Sequence, residues 1–255
     1  MARSSLPLAL VLVVLAIVLL IPIPKANAQC CPQDCGPKYV WDEATCSCEY
    51  VGGSPILIDT TGQGFQLTSA ADGVLFDIRG DGNPIQIAWT SATSGNAFLA
   101  LDRNHNGKID NGKELFDNFT PQPDSAHPNG FLALAMYDMP ENGGNGDGII
   151  DKRDAIFPEL LLWIDENHDG ISQPNELHSL PELGVFSLSL RYAESWREDE
   201  FGNLFHYRGA VNPDPKDGES KDGRWDYDVF FAGIDENGRT VQPSLKRGVN
   251  PFPAQ

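Results

Sequence analysis

A short unit recurs along the middle of this chain: an acid, polar residues two and four places on, then glycine. It is intact at Asp102-x-Asn104-x-Asn106-Gly107 and at Asp165-x-Asn167-x-Asp169-Gly170. An interrupted copy runs from Asp138 to Asn145-x-Asp147-Gly148, and degraded copies stand at Asp59-x-Thr61-x-Gln63-Gly64 and Asp77-x-Arg79-x-Asp81-Gly82. Asp and Asn bond their own backbone two residues on, and glycine takes a positive φ without steric cost, so each copy turns the chain sharply.

The elements between these turns are short. From Ile56 to Asp102 the text reads as strands ILID, FQLT, VLFDI, PIQIAW and FLALD, bounded by glycine and asparagine. Helical signals follow. Phe131, Leu134 and Ala135 share one helical face, and Pro174 sits near the start of QPNELHSL, where its missing N–H costs little. Alternation then returns at Phe186, Leu188, Leu190 and Tyr192, and at Trp225, Tyr227, Val229 and Phe231. Strands, helices and strands in that order predict an α+β fold, with antiparallel strands flanking helix–loop–helix units at the repeat.

The spacing has a chemical reading. A hard cation such as calcium takes six to eight oxygen ligands, so a short loop must aim alternate side chains inward, turn at glycine and close with a carboxylate. The loop from Asp165 fits without a gap: Asp165, Asn167, Asp169, the Ile171 carbonyl, Gln173 and Glu176. The loop from Asp102 offers Asp102, Asn104, Asn106, the Lys108 carbonyl and Asp110, with Glu114 one place late. In the middle loop Asn145, Asp147, the Ile149 carbonyl, Asp151 and Asp154 keep register, with Asp138 supplying the first ligand and Met139 to Gly144 looped out. The copies at Asp59 and Asp77 lack a closing acid and read as plain turns.

These blocks, GNAFLALDRNHNGKIDNGKELFDNFTPQP, NGFLALAMYDMPENGGNGDGIIDKRDAIF and LLLWIDENHDGISQPNELHSL, resemble secreted bacterial proteins with EF-hand-like calcium repeats, related to modules of haemolysin-type calcium-binding proteins. The resemblance spans Ser54 to Phe231 and implies calcium binding on the positions named, with no established catalytic activity.

The rest of the chain agrees with export. Arg3, an uncharged stretch from Leu6 to Pro24 and Ala26-Asn27-Ala28 describe a signal peptide over residues 1–28, with an uncleaved anchor as the alternative. Cleavage removes Arg3 and Lys25 and no acid, taking the net charge from −18 to −20. Such a charge repels nucleic acid and anionic membranes and attracts cations. All five cysteines, Cys30, Cys31, Cys35, Cys46 and Cys48, fall within residues 29–53 and read as a disulfide knot. Gly52-Gly53-Ser54-Pro55 reads as a hinge into the main domain at 54–240, and the proline-rich residues 241–255 as a loose tail.

No G-x-S-x-G elbow, P-loop or H-E-x-x-H helix is present. Asp226 and Asp228 share the strand face opposite Trp225 and Tyr227, which reads as solvated, and His105 and His168 read as surface residues. The expected function is calcium binding that stabilises an extracytoplasmic protein, with an extracellular protein or glycan as the partner class. A secreted hydrolase with structural calcium is the alternative.

Overall fold

The runs ILID, NAFLAL and LLLW are apolar on both pleat faces, which suits strands inside a sheet that is covered on both sides. In the computed structural model, which describes residues 39–42, 47–50, 52–125, 127–235 and 237–243, that is where they lie. All described residues belong to the unit Gln33–Gln255. A hairpin of β1 (Tyr39–Asp42) and β2 (Ser47–Tyr50) comes first. Next are β3 (Ile56–Asp59), β4 (Val74–Phe76), β5 (Ile85–Ile87) and β6 (Asn96–Leu101). The helix α1 (Gly130–Ala135) precedes β7 (Ile149–Asp151), β8 (Leu160–Trp163), β9 (Leu177–Ser179) and β10 (Ser187–Ser189). The chain closes through β11 (Ala193–Glu198), β12 (Leu204–Ala210), β13 (Trp225–Phe230), β14 (Gly233–Ile234) and β15 (Thr240–Val241).

Seven strands form one antiparallel sheet in the order β11-β12-β13-β3-β6-β8-β9. Leu57 stands opposite Phe98, and Phe98 opposite Trp163. One face packs on the four-stranded sheet β15-β14-β5-β4 through Val74, Phe76, Ile85 and Ile87. Trp89 lies there with its ring centre 4.3 Å from Phe98 and 5.6 Å from Trp163. The other face packs on Phe131 and Leu134 of α1 and on Ile150 and Leu188 of the β7–β10 pair. At the edge, β11 presents Glu194, Arg197 and Glu198 and carries a bulge, features that discourage pairing with another chain.

The α+β expectation is overturned. The described residues hold many short strands, one six-residue α-helix and a few 3-10 turns, so the fold is mainly β. No helix–loop–helix exists at the repeat. The Asp102 loop leaves β6 and ends in the 3-10 turn Gly112–Glu114, and the Asp165 loop joins β8 to β9. The reason lies in the flanks. LLLW has apolar side chains for two faces rather than one helical stripe, and the exit segment meets Pro181 before a helix can extend. Phe131 and Leu134 do lie on a buried helical face, but Ala133 joins them in place of Ala135. Phe186 is 61% exposed, outside its predicted alternation.

Gly53 to Pro55 is packed rather than a hinge: Phe231 N donates to Gly53 O, Val229 N to Pro55 O at 3.1 Å, and Ser54 N to Asn118 Oδ1 at 2.8 Å. Val241, expected in the loose tail, pairs with Gly233. The signal peptide, the tail beyond residue 243 and four cysteines of the expected disulfide knot, Cys30, Cys31, Cys35 and Cys46, lie outside the described residues, whereas Cys48 falls in β2 opposite Trp41. Among the described residues no helix is long and apolar enough to cross a membrane.

Candidate functional site

Each repeat opens with the same turn. Oδ2 of the first acid accepts from the sixth-position glycine amide in four copies: Asp59 from Gly64 at 2.7 Å, Asp77 from Gly82 at 2.8 Å, Asp102 from Gly107 at 2.7 Å and Asp165 from Gly170 at 2.8 Å. Asp138 does the same with Gly148 at 2.9 Å, although ten residues separate them. The inserted residues leave as a 3-10 turn, Pro140–Asn142, and return at Gly143 with φ 88°, so Asp138 reaches the position the spacing asks for. His105 and His168 take positive φ of 57° and 59°, which turns the fourth side chain away from the loop interior.

In the Asp165 loop the inward side chains converge. Asn167 Nδ2 donates to Asp169 Oδ2 at 2.9 Å, and Gln173 Nε2 donates to the same oxygen at 2.9 Å. The closing Glu176 accepts from Glu166 N at 3.0 Å and from Gln173 N at 3.1 Å. Both end acids are buried and touch core tryptophans: Trp89 Nε1 donates to Asp165 Oδ2 at 2.7 Å, and Trp163 Nε1 to Glu176 Oε2 at 3.4 Å. His168 is no free surface residue, because its ring nitrogens lie 2.8 Å from Thr90 O and 2.7 Å from Asp72 O. The Ile171 side chain is exposed, as suits a residue that offers its carbonyl.

The Asp102 loop is built alike. Asn104 and Asn106 donate to Asp110 Oδ2 at 3.2 and 2.6 Å, and Asp110 N donates to Glu114 Oε2 at 2.7 Å. Glu114 is only 3% exposed, and its Oε1 has no hydrogen-bond partner among the described residues. Lys108 is exposed, and its amide donates to Asn106 Oδ1 at 2.9 Å. In the middle loop Asp154 accepts from Asp151 N at 2.8 Å and Asn145 N at 3.1 Å. Arg153 spans Asp147 at 2.6 Å and Asp151 at 2.7 Å. Its hydrogen bonds hold the Asp151 carboxyl below the usual range, while burial pushes Asp154 up.

The donor sets fit a hard cation: carboxylates, amide oxygens and carbonyls, with no sulfur and no imidazole. Among the described residues no three His, Cys, Asp or Glu side chains alone make a metal cluster, so a cation at these loops would need Asn, Gln and backbone oxygens as well. Ser172, Trp89, Trp163 and Arg153 touch these loops, and their residue types gave no sign of it in the sequence.

A second set of carboxylates departs from the solvated face expected of it. Asp226 and Asp228 are fully buried, because α1 lies over their face of β13. Asp228 Oδ2 accepts from Gly130 N at 2.7 Å, and both oxygens of Asp226 lack a partner. Burial pushes Asp228 well above the usual carboxylate range and Asp226 to about 7. Asp117 is likewise pushed up to about 7 by burial, against hydrogen bonds from Phe119 N and Thr120.

Two comparisons bear on this arrangement. A family model described as the SPM domain matches residues 56–231. Over 159 residues the chain is 41% identical to the iron-regulated protein FrpA of Neisseria meningitidis serogroup C. That stretch is 61% of this chain and 14% of that protein, so the chain spans a small part of its relative's length. The resemblance to EF-hand-like, haemolysin-type repeat proteins is thereby corrected: the matching family is a different one, and strands rather than helices carry the loops.

Proposed function

We propose, for a chain that belongs to the SPM domain family, that it is an exported protein whose Asp102, Asp138 and Asp165 loops bind calcium and so hold the fold together. The observation that carries this reading is Glu114, a buried closing acid with an oxygen that no described donor meets. A buried carboxylate without a partner is costly, and a cation held by the neighbouring Asp102, Asn104, Asn106 and Asp110 oxygens supplies one. The other two loops bury an acid at each end, Asp165 with Glu176 and Asp138 with Asp154. Calcium suits these loops better than magnesium, which demands a smaller octahedral cage and keeps its water. The signal-like N-terminus supports export, and outside the cell such sites stay filled. An extracellular protein or glycan is the partner class that fits a calcium-stiffened module.

Each filled site adds stability as RT ln(1 + [L]/Kd), about 2.7 kcal/mol at a hundredfold excess over Kd. Calcium titration of the chelator-stripped chain by calorimetry is expected to give two to three ions. Thermal unfolding should shift upward between chelator and millimolar calcium. A folded chain that gives no heat with calcium overturns the proposal.

A further inference from the structure

The loops are not placed alike. Ile109 and Ser172 occupy the same position in their loops, seven residues after Asp102 and Asp165. They meet in the folded chain: Ile109 N donates to the Ser172 hydroxyl at 2.7 Å, and that hydroxyl lies 3.3 Å from Ile109 O. Both residues are buried. The residue after each also has a matching role. Asp110 N donates to the closing Glu114 at 2.7 Å, and Gln173 N to the closing Glu176 at 3.1 Å. Each closing glutamate is therefore one peptide away from the joint between the loops. The Asp138 loop has no part in it, because Ile149–Asp151 pairs with Ser187–Ser189 instead.

We propose that the Asp102 and Asp165 loops fill cooperatively as one two-ion unit, coupled through the Ser172–Ile109 joint, while the Asp138 loop fills independently. The inference rests on the calcium reading above and adds how those sites speak to each other. An ion in one loop draws in its closing glutamate and fixes the amide that glutamate holds, and with it the joint. The second loop then orders against a partner already set, so less conformational entropy opposes its ion. Coupling of this kind is reciprocal.

The Asp165 loop carries its own reporter, since the Trp89 and Trp163 indoles donate to its two end acids. Calcium is titrated into the full chain while tryptophan emission and calorimetric heat are followed. In Asp102→Ala the midpoint of the emission change is expected to rise by about fivefold or more, the lower end of ordinary site–site coupling. Glu114→Gln, which keeps side-chain volume, should do the same and guards against a folding defect in the first variant. Ser172→Ala should keep the ion count and make Asp102→Ala neutral for the Trp-reported midpoint. Binding with an unshifted midpoint in both loop variants overturns the coupling alone. Absence of any calcium heat in the parent chain overturns the calcium reading and the coupling with it.

Discussion

Asp226 has two buried oxygens without partners and a carboxyl pushed to about 7, against an ordinary value of 3.8, because burial disfavours its charge. The folded chain thus holds a proton that the unfolded chain releases once pH passes 3.8. Stability from this group is fully present below pH 3.8, falls as pH rises, and flattens above about 7. At 1.36 kcal/mol per pKa unit, the loss is on the order of 4 kcal/mol. Asp226→Asn is expected to flatten that dependence and to stabilise the chain at pH 8, as read by urea unfolding in chelator at pH 5 and 8. The repeat acids differ at the same scale. Asp59 and Asp165 make the same turn with their glycine amides, so the turn does not identify an ion site. Asp165 alone of the two has a closing glutamate, Glu176, beside it. Asp165→Ala should lose much of the calcium-induced rise in melting temperature, while Asp59→Ala should lower the baseline and leave the rise intact.

Among the elements, α1 depends on its first residue. A methyl group at Gly130 would lie 2.4 Å from Phe116 O and 2.6 Å from Ile56 Cγ1, and the Gly130 amide is the donor to Asp228. Gly130→Ala should therefore destabilise the chain by about 1–3 kcal/mol through overpacking, measured as a shift in the urea midpoint. The middle loop differs from the other two in its guanidinium. Arg153 already pairs with Asp147 and Asp151, so it would compete with a cation for the same oxygens. Removing it as Arg153→Ala should tighten calcium at that loop several-fold by calorimetry, with the other two sites unchanged. At this scale the sequence was partly legible. ILID, the apolar part of FLALD and the repeated turns, including the detour from Asp138 to Gly148, follow from the sequence, because turns and apolar runs are local signals. The flanks of the loops do not, because a short run such as LLLW suits a buried strand or a buried helix equally until its neighbours are known.

For the whole molecule, the central strands β3, β6 and β8 of the seven-stranded sheet are covered on both faces, with the four-stranded sheet on one and α1 with β7–β10 on the other. The Asp165 loop is tied into the first of these layers through Trp89, whose ring lies 5.8 Å from Phe231 and 5.0 Å from Phe76. Calcium there should protect the aromatic core as a unit. Hydrogen exchange of the β3, β6 and β8 amides is expected to slow in millimolar calcium by a factor that matches the gain in global stability. A change confined to loop amides would show that the ions order only the loops. The sequence by itself determined where the chain turns and that acids and amides recur there at a fixed spacing, since both depend on residues a few places apart. Only the tertiary structure decided that strands carry the loops, that Ser172 meets Ile109, and that Asp226 and Asp228 lie under α1. Alternation marks two faces of a strand, but what covers each face comes from chain far away in sequence.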